Sequence, residues 1–97
     1  MNLQQLEHLL ALAETGSFSR ASEKVHLTQP ALSRSIQMLE QELGMPLIDR
    51  IGKRNELTPF GAMVLARARR ISSEAQELRR AAALLSDGQA GQLRLGL

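Results

Sequence analysis

Apolar residues recur along this chain in two rhythms, and each change of rhythm marks an element. Leu32, Ile36, Leu39 and Leu43 follow one another at spacings of four, three and four, which lays one stripe along a helix from Thr28 to Leu43. Away from the stripe, its first two turns carry Gln29, Pro30, Ser33, Arg34 and Gln37, side chains whose length and hydrogen-bonding groups suit the edges of DNA bases. Thr28 is placed to cap the helix, and Pro30 gives up only an amide that has no intrahelical partner there. Gly44 and Pro46 close it. An amphipathic helix with a merely solvated polar face would show the same stripe, so the surroundings decide what the face is for.

Upstream, Leu3, Leu6, Leu9, Leu10 and Ala13 predict a first helix over Asn2 to Thr15, stopped at Gly16. Ser17 then caps a short second helix, about Phe18 to Val25, which buries Phe18, Ala21, Ser22 and Val25. Helix, tight turn and helix follow in the order of a helix-turn-helix, with Ala21 and Ser22 small enough for a close crossing. The turn itself is Val25, His26 and Leu27, without the glycine often found in such turns. Downstream, Met45 to Thr58 holds two short extended arms, one with Leu47 and Ile48 and the other with Glu56 and Leu57, around the basic tip Arg50, Ile51, Gly52, Lys53, Arg54 and Asn55. This predicts a small hairpin beside the third helix.

Thr58 and Pro59 start a long helix that nothing breaks before Asp87 and Gly88. At about 1.5 Å per residue it runs roughly 40 Å. Val64, Ala68, Ile71, Ala75, Leu78, Ala82 and Leu85 form a heptad seam along it. Alanine alternates there with bulky aliphatics, which suits two antiparallel helices that each seat a large side chain over the partner's alanine. Three short helices cannot cover a helix this long, so homodimerisation explains the seam better than packing within one chain. After Gly88, Leu93, Leu95 and Leu97 alternate with Arg94 and Gly96, the pattern of a strand that lacks a partner in this sequence. The chain therefore divides into a winged helix-turn-helix at 1–58, a linker and dimerisation helix at 59–87, and the truncated start of a further domain at 88–97. The fold class is mainly α, with three helices and a two-stranded wing followed by the long linker helix.

Composition narrows the function. Ninety-seven residues with a net charge of +2 suit one small domain that leans on a partner and tolerates nucleic acid without demanding it. With no cysteine there is neither a disulfide framework nor a thiolate metal site, consistent with a cytoplasmic protein. No segment approaches the roughly 20 apolar residues of a membrane span. Phe18 and Phe60 are the only aromatic residues, too few for a single-strand stacking platform, so a bound nucleic acid is expected to be duplex. His8 on a helix and His26 in a turn stand apart from any spaced carboxylate pair, so no enzyme, metal or cofactor is expected. The competing class is a helical protein-interaction module that needs no DNA; the basic wing beside Arg34 separates the two, as would a steep dependence of duplex affinity on salt.

The run QPALSRSIQMLEQELGMPLIDR, preceded by AETGSFSRASEKVHLT and followed by RNELTPFGAMVLARA, resembles the N-terminal region of LysR-type transcriptional regulators. The likeness covers residues 1 to about 87 without a gap. Ile48 stands where the family often has phenylalanine, and Lys53 and Arg54 occupy its variable wing. The resemblance implies a winged helix-turn-helix whose linker helices pair antiparallel. It also implies a larger C-terminal domain that binds an inducer and drives a higher oligomer; GQLRLGL matches that domain's first strand. Residues at the positions of Gln29, Pro30, Ser33 and Arg34 contact DNA in the family.

On this reading the third helix enters the major groove of a pseudo-palindromic operator with its N-terminal turns nearest the bases. Arg34 can donate two bonds to guanine, Gln29 can pair with adenine, Ser33 can serve a base or a phosphate, and Pro30 can meet a thymine methyl. Lys53 and Arg54 would reach the adjacent minor groove or its phosphates. Arg50, Ser17, Ser19, Arg20 and Thr28 are candidates for phosphate contacts, and of these Arg50 and Arg20 are the two more readily explained by a structural role.

Overall fold

The computed structural model describes residues 1–50 and 55–88. In chain order it contains α1 (Leu3–Thr15), α2 (Phe18–Lys24), α3 (Gln29–Leu43), β1 (Ile48–Asp49), β2 (Glu56–Leu57) and α4 (Pro59–Gly88). These are the three helices, two-stranded wing and long helix expected from the pattern. Because α4 projects beyond the rest, the chain measures 57 × 25 × 18 Å.

Local chemistry sets the boundaries. Asn2 lies outside α1 as its cap: its side chain accepts from the Gln5 amide at 2.8 Å, and the Gln5 side chain accepts from the Asn2 amide at 3.3 Å. α1 ends at Gly16 with φ 68°, and α3 ends at Gly44 with φ 81°, both in the left-handed conformation that glycine adopts without a Cβ clash. The helix-turn-helix corner lacks glycine, and His26 takes the left-handed role instead, with φ 60°. Around it, the Val25 and Leu27 amides donate to the Ala21 and Ser22 carbonyls, so the end of α2 is satisfied.

α1 is the hub, packing against α2, α3 and α4. It therefore buries more than the single face its leucines predict. Leu6, Leu9, Ala11 and Leu12 are buried, while Leu3, Leu10 and Ala13 are half-buried. Leu32, Ile36 and Leu39 of α3 complete the centre as expected, together with Ala21, Leu47, Ile48 and Leu65. Phe18 and Val25, expected inside, are half-buried at its margin because the short α2 meets the core through Ala21 and Ser22.

The wing pairs Ile48 with Leu57 and Asp49 with Glu56, antiparallel. Its base is tied to α4 by Thr58, whose amide donates to the Leu47 carbonyl at 2.9 Å and whose hydroxyl donates to the Pro46 carbonyl at 2.7 Å. The same hydroxyl oxygen accepts from the Gly61 amide at 2.9 Å and so caps α4. The wing-tip residues Ile51, Gly52, Lys53 and Arg54, and the strand pattern at 89–97, lie outside the described residues.

α4 departs from a uniform seam. Val64 is half-buried and Ala68 is 0% exposed, both against the chain's own core, because the first turns of α4 lie along α1. Ala68 is thus a core residue of its own chain rather than a position open to a partner. Beyond it the stripe emerges: Ile71, Leu78 and Leu85 are 45%, 71% and 58% exposed.

Candidate nucleic-acid interface

α3 is anchored from one side only. With Leu32, Ile36 and Leu39 fully buried, Gln29, Pro30, Arg34 and Gln37 are exposed on the opposite side and Ser33 is half-exposed. Among the described residues, no side-chain hydrogen bond engages Gln29, Arg34 or Gln37, so their donors and acceptors are available to a ligand. α3 carries no acidic residue before Glu40, and the positive end of its dipole lies at Gln29, so the first three turns favour an anionic partner.

The wing makes a wall beside this face. Phe18, Gln29, Pro30, Ser33, Arg50 and Asn55 line a groove of about 730 Å³ between α2, α3 and the wing. Arg34 borders a smaller hollow on the other flank, toward α1, with Gln4, His8 and Ser35. The basic and amide groups are thus spread across the exposed face and not gathered into a closed cavity, a shape suited to an extended polymer.

Glu40 sets the wing's position. Its carboxylate accepts from the Leu47 amide at 2.8 Å, from the Ile48 amide at 3.2 Å and from the Arg50 guanidinium at 3.1 Å. One side chain of α3 therefore holds the start of β1 and orients Arg50 into the groove. Arg50 consequently has a structural role, and the rest of its donor fork is left to face a ligand. Sequence reasoning missed Glu40, although a signal was present: a carboxylate in the last turn of a helix opposes the macrodipole and calls for a compensating partner.

The remaining candidates lie at the margins of the face. Thr28 accepts from the Ala31 amide and Ser17 from the Arg20 amide, each at 3.2 Å, so both hydroxyl oxygens act as helix caps while their O–H groups can still donate. Ser19 and Arg20 are exposed on α2. Lys53 and Arg54 fall outside the described residues. Phe18 and Asn55, which were not singled out as interface residues, line the groove.

His8 supports α3 from behind. Its Nδ1 and the Ser35 hydroxyl share a 2.7 Å hydrogen bond between α1 and α3. Burial lowers the His8 pKa below its ordinary 6.5, against a smaller upward pull from Glu7, so the ring is neutral at pH 7.

Residues 3–62 match the model of the bacterial regulatory helix-turn-helix proteins of the lysR family. The chain is 50% identical over 95 residues to the SDS degradation transcriptional activation protein of Pseudomonas sp. (strain ATCC 19151), covering 98% of this chain and 31% of that protein. It is 47% identical over 95 residues to an HTH-type transcriptional regulator from the ibpB-leuC intergenic region of Azotobacter vinelandii, covering 98% of this chain and 66% of the relative. The chain thus spans less than two thirds of either protein. Its fold is similar to that of the BenM DNA-binding domain in complex with benA site 1 DNA, with a TM-score of 0.85 and 33% identity over 91% of this chain and 99% of that one.

Proposed function

The chain belongs to the lysR family of bacterial regulatory helix-turn-helix proteins, and on that premise we propose that it reads an inverted-repeat operator in double-stranded DNA as a homodimer. One observation carries the proposal: α3 buries Leu32, Ile36 and Leu39 completely and leaves Gln29, Pro30, Arg34 and Gln37 exposed beside the wing. A helix so placed can enter the major groove with its N-terminal turns leading. Arg34 then bonds a guanine through two donors, Gln29 an adenine, Ser33 a base or a phosphate, and Pro30 packs on a thymine methyl. Ser17, Ser19, Arg20, Thr28 and Arg50 hold phosphates on either side, with Lys53 and Arg54 on the wing reaching the neighbouring minor groove. The protein acts in the cytoplasm, where the operator is.

The exposed part of the seam supplies the second reader. Ile71, Leu78, Ala82 and Leu85, with the half-buried Ala75 between them, lie on one stripe, and antiparallel pairing of two such stripes removes them from water and fixes the separation of two α3 helices. Half-site spacing follows from that separation. The full-length regulator forms a higher oligomer through a further domain.

Selection from random duplexes, followed by titration of variants, tests the assignment. Arg34→Ala should cost about 1 to 3 kcal/mol and relax one base position, whereas Arg20→Ala should weaken all duplexes alike and flatten the salt slope by about one unit. If the two variants change affinity by the same factor on every sequence, the division into base and phosphate contacts is wrong.

A further inference from the structure

On α1, Glu7, Leu10, Ala11 and Glu14 recur at spacings of three, one and three, which places them on one helix face. That face and the Ser72 and Gln76 positions of α4 enclose a groove of about 410 Å³, closed at one end by Lys24 and Val25. Its floor is apolar at Ala11 and the half-buried Leu10, and its rim is acidic. Glu14 is paired with Lys24 across this rim, whereas no ion pair among the described residues engages Glu7. The groove therefore fits a long side chain with an apolar stem and a cationic head.

The seam indicates where such a side chain comes from. In an antiparallel pair, the register that seats Leu78 over the partner's Ala75 also seats Ile71 over the partner's Ala82, so the two bulky residues at the middle of the exposed stripe each meet an alanine. That register brings the partner's Arg79 to the level of Glu74, between Ser72 and Gln76 and so alongside the groove. Arg79 follows Ser72 by one heptad and lies on the same flank of α4. In a two-fold antiparallel pair this flank faces the equivalent flank of the partner, so the partner's Arg79 is on the groove side. Arg79 is exposed on its own chain.

We infer that the α1–α4 groove is the docking site for the partner subunit's Arg79, whose stem lies on Leu10 and whose guanidinium pairs with Glu7. This rests on the dimer reading above and adds to it a contact from the rod of one subunit to the hub helix of the other. Because α1 also carries α3, the contact fixes the angle of each reading domain on the rod as well as its distance from its twin.

Sedimentation equilibrium of the whole chain, at low and high salt, tests it. Glu7→Arg and Arg79→Glu should each weaken the dimer by about tenfold at low salt, and the double variant should recover most of that loss because the pair is reversed and not removed. Arg80→Glu, on the outer flank, should leave the dimer unchanged. As a milder cycle that preserves the fold, Glu7→Gln and Arg79→Gln should together weaken the dimer no more than either alone. If the dimer is intact and the single effects simply add, the groove is not the site, although the seam stands. If Leu78→Arg fails to dissociate the chain, or the wild-type chain is monomeric, the seam reading falls and the docking falls with it.

Discussion

Gly61 offers a test in which two rules predict opposite signs. In the first turn of a helix, replacing glycine by alanine normally stabilises, by up to about 1 kcal/mol from helix propensity and reduced freedom of the unfolded chain. Here a Cβ built on Gly61 would stand 2.1 Å from the Leu47 carbonyl oxygen, 3.0 Å from its carbonyl carbon and 3.2 Å from its Cα. All three atoms are backbone, so no side-chain rotation relieves the clash. Restoring an ordinary separation of about 3.5 Å means parting the start of α4 from the wing base by more than about 1 Å. The Thr58 amide bond to Leu47 and the Thr58 hydroxyl bond to Pro46 span that junction at 2.9 and 2.7 Å and would lengthen or break.

Overpacking of this kind costs about 1 to 3 kcal/mol, and loss of one backbone bond costs about 1 kcal/mol more. Set against the propensity gain, the net expectation for Gly61→Ala is a loss of about 2 kcal/mol, a large share of the stability of a chain this size. Urea melts followed by far-ultraviolet circular dichroism, at one fixed protein concentration because the proposed dimer would contribute, should show a midpoint about 1 M lower with an unchanged slope. Ala62→Gly, at the exposed neighbouring position, should lose about 1 kcal/mol for propensity alone. A Gly61→Ala midpoint at or above wild type would show that α4 is not seated on Leu47 as described.

His26→Gly should stabilise by a few tenths to about 1 kcal/mol, since relief of the left-handed conformation outweighs the entropy that glycine adds, while His26→Val should destabilise by more than 1 kcal/mol; the same urea melts decide. Glu40→Ala strands the Leu47 and Ile48 amides and should cost about 2 to 3 kcal/mol, with Glu40→Gln recovering part by accepting again from the backbone. For His8, burial lowers the folded pKa, so the unfolded chain binds more protons: its contribution is complete above pH 6.5 and is lost as pH falls below it. His8→Gln should remove that component from a plot of melting midpoint against pH, and an unaltered slope below pH 6.5 would contradict it.

How much of this was legible in the sequence depends on how locally each feature is determined. The α3 stripe, its Thr28 cap and its Gly44 stop are local, and the structure places them as the spacing predicts. Residues Leu12, Ala11 and Leu65 were missed because α1 is enclosed on more than one side, and burial on a second face follows from where α4 docks, which no periodicity within α1 encodes. The heptad rhythm runs further than the exposed stripe for the same reason: Val64 and Ala68 keep it but pack on the chain's own core, and only the positions beyond them are left to the proposed partner. The absence of glycine from the turn is visible in the sequence, but that His26 takes the left-handed conformation in its place, at φ 60°, is not. The need for glycine at position 61 depends on the distance to Leu47, 14 residues earlier, which only the folded chain brings near.

On the proposed reading, position and recognition are carried by different residues, and this bears on how such a protein can change its target. Glu40, Thr58, Gly61 and the His8–Ser35 bond fix where α3 and the wing stand, and each works through backbone groups or buried contacts. Gln29, Arg34 and Gln37 take no part in those ties and project from a helix whose other side is closed by Leu32, Ile36 and Leu39. Substituting an exposed residue of this kind changes stability by about 0.5 kcal/mol or less, whereas one bidentate base contact is worth about 1 to 3 kcal/mol of discrimination. Target preference can therefore shift by one to two orders of magnitude through α3 while the fold is almost untouched. Changes at Glu40 or Gly61 move the whole reading surface and weaken every target together.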